Sequence, residues 1–92
     1  MSELRQSVTI VNKRGLHARA SAKFVGAVAE LEGDVRVAVA KDGNSAAGGS
    51  ILGLMMLGAA KGDTVEVVVE GDGAQGVLDD LVALIADGFG EE

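Results

Sequence analysis

The stretch that decides the fold is TVEVVVEGDGAQGVLDDLVALIAD, residues 64–87. Its first part, Thr64 to Glu70, is rich in valine and predicts a β-strand. After a glycine-rich turn at 71–73 the pattern changes to helical spacing, with one apolar stripe at Val77, Leu78, Leu81, Val82 and Ile85. The aspartates outside that stripe are Asp79, Asp80 and Asp87. The stretch therefore predicts a strand followed by an amphipathic helix.

The segment before this stretch predicts a short apolar helix. Ser50 precedes a run of apolar residues and can cap it, and Gly58 ends it. The run is apolar nearly all round, at Ile51, Leu52, Leu54, Met55, Met56 and Leu57. Residues 45–49 are either a weak edge strand or a loop, because alanine and glycine favour strand pairing only weakly.

The first half of the chain predicts two further strands and one helix. Residues 7–11, SVTIV, are mainly β-branched and end at a turn-like stretch, 12–15. From Ala18 onward apolar residues fall at helical spacing until Gly33. Residues 34–39 alternate strictly, which is typical of a half-buried strand, and 41–44 then turn the chain.

These elements give the order β-α-β-β-α-β-α. The simplest way to bury their apolar faces is one four-stranded sheet covered on one face by three helices, an α+β open-faced sandwich. The 92 residues are 48% apolar with only two aromatic side chains, so we expect one domain over 1–92 with a modest aliphatic core.

Composition narrows the function classes. Cysteine is absent, which excludes disulfides and thiolate metal sites and fits the cytoplasm. No secretory signal or membrane-spanning run is visible, so a soluble protein without membrane insertion is expected. The net charge of −6 argues against nucleic acid as a partner. Yet five of the eight basic residues lie before residue 30, where only Glu3 opposes them, namely Arg5, Lys13, Arg14, Arg19 and Lys23.

The only histidine, His17, stands where a loop becomes a helix. The first amides of that helix, those of Ala18, Arg19 and Ala20, have no carbonyl partner within it and favour an anion. The positive helix end and Arg19 disfavour the charged ring, so the imidazole is available as a nucleophile. Arg19 and the amides would then stabilise a phosphoryl group on His17.

No acid–base partner, Walker-type glycine loop or cluster of metal ligands is visible near His17. We therefore expect no cofactor and no metal, and a phosphoryl-transfer intermediate rather than a stand-alone enzyme. The 51–56 helix offers more apolar side chains than a small core can absorb, so we expect it to supply a docking face, to which its adaptable methionines are suited.

Two motifs carry a family resemblance. The run Gly15-Leu16-His17-Ala18-Arg19, with Ala22-Lys23-Phe24-Val25 after it, resembles the phosphohistidine segment of the HPr/NPr family, the histidine-containing phosphocarriers of the bacterial phosphoenolpyruvate-dependent phosphotransferase system. The run Ser50-Ile51-Leu52-Gly53-Leu54-Met55-Met56-Leu57-Gly58 is similar to the family's regulatory serine and docking helix. Where the family often has proline after the arginine, this chain has Ala20, which keeps a backbone donor.

The resemblance implies an HPr-like antiparallel sheet and a place in a phosphoryl relay. Enzyme I would phosphorylate His17 at Nδ1, assisted by Arg19, and IIA-type proteins would receive the phosphoryl group in sugar uptake or a regulatory branch. The resemblance also implies docking through Leu16, Leu52 and Met55 beside Ile51. Ser50 would be a phosphorylation site for a regulatory kinase such as HPr kinase/phosphorylase. A carrier that presents one face to successive partners is expected to be a monomer.

Two other classes of function remain open at this stage. A small regulatory or ligand-binding module could use the helix N-terminus to hold an anion without needing His17. A structural adaptor could dock through residues 51–56 and be indifferent to His17. Serine before an apolar helix is also explained by capping alone, and about half of that helix could belong to the core.

Overall fold

A computed structural model of the chain describes residues 3–91. The predicted order of elements is confirmed, with one addition at the end. The elements are β1 (Glu3–Thr9), α1 (Ala18–Ala29), β2 (Val35–Lys41), β3 (Asn44–Ala47), α2 (Ile51–Met56), β4 (Thr64–Gly71), α3 (Ala74–Ala86) and a final 3-10 turn (Gly88–Gly90).

The four strands form one antiparallel sheet in the order β1-β4-β2-β3. The valine-rich β4 is therefore central, which explains why it carries the clearest strand signal. Its alternate residues Val65, Val67 and Val69 are fully buried, whereas Glu66 and Glu70 lie on the other face. One face of the sheet is thus apolar and the other is partly solvated, and the α+β open-faced sandwich is confirmed.

The core lies between this apolar face and the helices. The α3 stripe packs against β1 and β4, and α1 packs against α2. The largest side chains that are almost fully buried are Phe24, Phe89, Ile10, Leu54, Leu81 and Ile85. Both aromatic residues of the chain are therefore in the core, one from α1 and one from the turn after α3. None of the helices within residues 3–91 is long and apolar enough to cross a bilayer.

Several predicted boundaries were wrong by a few residues. β1 occupies residues 3–9 rather than 7–11, because Ile10 leaves the regular ladder although its backbone still bonds to Gly62 and Asp63. α1 ends at Ala29 rather than near Gly33. The ambiguous segment 45–49 contains an edge strand, β3, which pairs with β2 through a tight hairpin whose Asp42 and Gly43 both have positive φ.

Candidate functional site

The loop between β1 and α1 is held in place by its own backbone and by the segment after α2. The amide of Leu16 donates to the carbonyl of Ala59 at 3.0 Å. Gly15 has a φ of +62°, and a Cβ atom there would lie 2.2 Å from the same carbonyl oxygen. Only glycine allows this close approach. Gly15 therefore helps to determine the position of His17, which lies two residues later at the end of the loop.

His17 is the N-cap of α1, as predicted from the loop-to-helix transition. Its backbone is extended, and its Nδ1 accepts a hydrogen bond from the amide of Arg19 at 3.3 Å. Among residues 3–91 the amides of Ala18 and Ala20 have no backbone acceptor. The side chain of His17 is 18% exposed, so the ring is partly accessible to solvent. The structure therefore brings His17 and the three predicted amides together at one helix end.

The prediction that no acid–base partner lies near His17 was wrong. The Nε2 atom of His17 is 2.8 Å from Oε2 of Glu91, a residue 74 positions away in the sequence. A carboxylate can only accept a hydrogen bond, so this contact requires the proton on Nε2. The amide of Arg19 points to the other nitrogen and favours a lone pair on Nδ1. The contacts thus select the tautomer in which Nε2 carries the proton and Nδ1 the lone pair.

The carboxylate of Glu91 is ionised and accepts hydrogen bonds from two side chains, those of His17 and Asn12. Burial, taken alone, would raise its pKa, but this effect is outweighed by hydrogen bonds from His17 and Asn12 and by the nearby charge of Lys23. The pKa of Glu91 therefore lies below the usual range for a glutamate. Lys23 reaches this region because its Nζ donates to the carbonyl of Phe89 at 2.6 Å.

Asn12 is a site residue that the sequence did not single out. Its side chain is buried, and its Nδ2 donates to the carbonyl of Gly15 at 2.8 Å and to Oε1 of Glu91 at 3.2 Å. Both partners are acceptors, which fixes the orientation of the amide. Within residues 3–91 its Oδ1 has no hydrogen-bond partner. Asn12 thus ties the loop before α1 to the turn after α3.

Arg19 lies at the site mainly through its backbone. Its side chain is exposed and makes no hydrogen bond or ion pair within the described part of the chain. Arg5, by contrast, is engaged by Glu3 and Glu66 on the sheet. The guanidinium of Arg19 is therefore available to a ligand at the helix end, whereas that of Arg5 already has carboxylate partners.

The predicted docking residues divide into exposed and buried ones. Ile51, Leu52, Met55 and Met56 are exposed, Leu52 by 68% and Met56 by 77%, and we call these four residues the apolar patch. Leu16 is only 6% exposed and belongs to the core, as Leu54 does. The implied docking role of Leu16 is therefore corrected, because its side chain offers almost no surface to a partner.

Ser50 is the N-cap of α2, as its position before the apolar run predicts. Its Oγ accepts a hydrogen bond from the amide of Gly53 at 2.9 Å, and its side chain is partly exposed. The cap stands directly before the apolar patch. A charged group on Ser50 would consequently adjoin that patch.

Comparison with known proteins agrees with this fold. A family model described as "PTS HPr component phosphorylation site" matches residues 4–87. Phosphocarrier protein HPr of Cupriavidus necator is 42% identical over 96% of this chain and 97% of its own length. Phosphocarrier protein NPr of Shewanella violacea is 37% identical over 99% and 98%. A crystal structure of HPr-C-His from Thermoanaerobacter tengcongensis matches with a TM-score of 0.86 and 38% identity, covering 100% of this chain and 99% of that one.

The fold and the site define a class of small open-faced α+β proteins that present a histidine at the N-terminus of a helix. The matches extend over nearly the whole chain and include proteins named for phosphoryl carriage. The chain belongs to the HPr family of phosphocarriers of the phosphotransferase system.

Proposed function

We propose that this protein accepts a phosphoryl group from phospho-Enzyme I on Nδ1 of His17 and passes it to IIA-type proteins. The proposal rests on the hydrogen bonds that the two ring nitrogens of His17 make. One nitrogen is occupied by Glu91, and the other is held by a single long hydrogen bond beside unpaired helix amides. A nucleophile and an anion cradle thus lie side by side, which is what a carrier requires.

The transfer needs no co-reactant. The lone pair of Nδ1 attacks phosphorus as the bond from phosphorus to its donor breaks, and the ring proton stays on Nε2. The amides of the first turn of α1 and the guanidinium of Arg19 stabilise the phosphoryl oxygens, because backbone donors and a fixed positive charge favour a dianion. The same contacts serve the reverse step, in which the phosphoryl group leaves for an acceptor.

The apolar patch is the proposed docking surface for both partners. A small protein rarely leaves four large apolar side chains exposed on one six-residue helix without a use for them. The segment that follows α2 holds the His17 loop through the Ala59 carbonyl, so a partner seated on α2 is near the reacting ring. Methionine side chains adapt their shape, which suits successive partners.

Ser50 is the proposed point of regulation. A phosphate there would stay compatible with α2, since a helix N-terminus tolerates negative charge. It would, however, bring a dianion to the edge of the apolar patch, where a partner must exclude water. Phosphorylation by a regulatory kinase is therefore expected to slow the transfer to and from His17.

The test of the main proposal is incubation with Enzyme I and phosphoenolpyruvate, followed by intact-mass measurement before and after mild acid. We expect a gain of one phosphoryl group that acid removes, and no gain in His17→Ala. Ser50→Ala is the matched control and should still gain the acid-labile group. A phosphoryl group that survives acid, or that persists in His17→Ala, would contradict the proposal.

A further inference from the structure

The segment Gly88–Glu91, which we call the 88–91 turn, folds back from the end of α3 onto the start of α1. Gly88, Phe89 and Gly90 all have left-handed backbone conformations, with φ of 68°, 59° and 73°. This conformation is unfavourable for a phenylalanine. It is nevertheless held, because the ring of Phe89 is buried in the core and its carbonyl accepts from Lys23.

The position of the 88–91 turn brings one specific group, the carboxylate of Glu91, against His17. Both of its oxygens are used, Oε2 on Nε2 of His17 and Oε1 on Nδ2 of Asn12. The side chains of His17 and Glu91 are each 18% exposed, so water competes little for the contact. Asn12 is itself anchored to the loop through Gly15. The carboxylate is therefore fixed in orientation as well as in position.

We infer that Glu91 is a positioning residue for phosphoryl transfer, which holds the ring of His17 and keeps its proton on Nε2 so that Nδ1 presents its lone pair. The inference rests on the proposed function of His17. When Nδ1 bonds to phosphorus, it gives up that lone pair and the ring, still protonated at Nε2, gains positive charge. A carboxylate at 2.8 Å stabilises this charge in the transition state.

The hydrogen-bonding pattern gives the inference a distinctive signature in Glu91→Gln. Asn12 presents a donor to residue 91, so a glutamine must turn its oxygen to Asn12 and its amide group to His17. The NH2 nitrogen of an amide can only donate, so His17 Nε2 must carry the lone pair and Nδ1 the proton. The glutamine variant should therefore favour the wrong tautomer, in competition with the Arg19 amide, which donates to Nδ1. Glu91→Ala leaves that amide as the remaining contact that selects the tautomer and should only weaken the preference.

The experiment combines nitrogen-15 spectra of the His17 ring in the unphosphorylated, full-length protein with rates of phosphorylation by Enzyme I. We expect the proton on Nε2 in the wild type, a weaker preference for Nε2 in Glu91→Ala, where the Arg19 amide still donates to Nδ1, and a shift toward Nδ1 in Glu91→Gln. The rate should fall about tenfold or more in Glu91→Gln, as it does when the partner that fixes a histidine tautomer is lost, and less in Glu91→Ala. Asp80→Asn, which removes an exposed carboxylate of α3, is the matched control and should change neither readout.

The outcomes separate this inference from the function on which it rests. If wild-type protein is phosphorylated at His17 but the two Glu91 variants keep its tautomer and rate, the inference about Glu91 is overturned and the proposed function stands. If the wild-type protein is not phosphorylated at His17, both fall. If Glu91 had a merely structural role, both variants would be less stable, but the glutamine variant would not be phosphorylated more slowly than the alanine variant. That result would also overturn the inference about Glu91.

Discussion

Arg19 contributes two separate groups to the site, and they have different roles. Its backbone amide donates a hydrogen bond to Nδ1 of His17, whatever side chain residue 19 carries. Its guanidinium makes no hydrogen bond or ion pair among residues 3–91 and is free to meet a phosphoryl oxygen. A substitution at this position can therefore remove the charge while the hydrogen bond that orients the ring remains.

We predict that Arg19→Ala keeps the fold and the ring orientation but lowers the rate of phosphorylation by Enzyme I about 100-fold. The physical reason is the loss of a charged donor that acts on the transition state. Single-turnover kinetics with phospho-Enzyme I would measure the effect. Arg14→Ala removes another exposed positive charge from the loop and should leave the rate nearly unchanged. Equal losses in the two variants would show a general charge effect rather than a contact.

Ser50 allows capping and charge to be separated by substitution, because asparagine and aspartate are both good N-caps. We predict that Ser50→Asp slows phosphorylation about tenfold, equivalent to about 1.4 kcal/mol, since a charge must be brought beside an apolar contact. Ser50→Asn retains the cap without the charge and should transfer at the wild-type rate. Ser50→Ala should instead lower stability by about 1 kcal/mol with little effect on rate. A slow Ser50→Asn variant would contradict this division.

The loop before α1 depends on a close approach between its backbone at Gly15 and the carbonyl of Ala59. We predict that Gly15→Ala lowers the free energy of unfolding by about 3 kcal/mol, because the new Cβ meets the Ala59 carbonyl and φ is positive. Gly26→Ala is the control: it lies inside α1 with nothing near its Cβ and should raise stability by about 0.5 to 1 kcal/mol. Urea unfolding would measure both. Equal midpoints for Gly15→Ala and the wild type would contradict the close approach.

The elements that could be predicted from sequence are those whose burial imposes a period. β4 is central and α3 buries one stripe, so alternation and helical spacing are both visible in residues 64–87. β1 is largely exposed, and its inward positions Leu4 and Val8 leave a weak pattern that the β-branched run 7–11 obscures. The edge strand β3 is made of small residues, and only its hairpin with β2 reveals it.

The site joins segments that are far apart in sequence. His17 could be identified because its neighbours on both sides form a local motif and a local helix cap. Glu91 could not, because its contact spans 74 residues and depends on the left-handed path of the 88–91 turn. One signal was present: Phe89 is one of only two aromatic residues and is flanked by glycines, which is typical of a turn anchored in a core.

The 88–91 turn also couples the site to the stability of the fold. The pKa of Glu91 is lower in the folded protein than in the unfolded chain, because hydrogen bonds from His17 and Asn12 and the charge of Lys23 outweigh the opposing effect of burial. A carboxyl group with a lowered folded-state pKa stabilises the fold above its unfolded value, about 4.3. That stabilisation is lost as the pH falls through the lower folded value, where Glu91 becomes protonated.

We therefore predict that the wild type is more stable than Glu91→Gln at neutral pH and that this difference shrinks as the pH falls below about 4.3. Urea unfolding of both proteins at a series of pH values would measure the difference. Asp80→Asn should show no comparable change, because Asp80 is exposed and its side chain makes no hydrogen bond or ion pair within residues 3–91. A difference that stayed constant down to the most acidic pH would mean that the ionised carboxylate does not hold the turn, and the contact with His17 would then be incidental to folding.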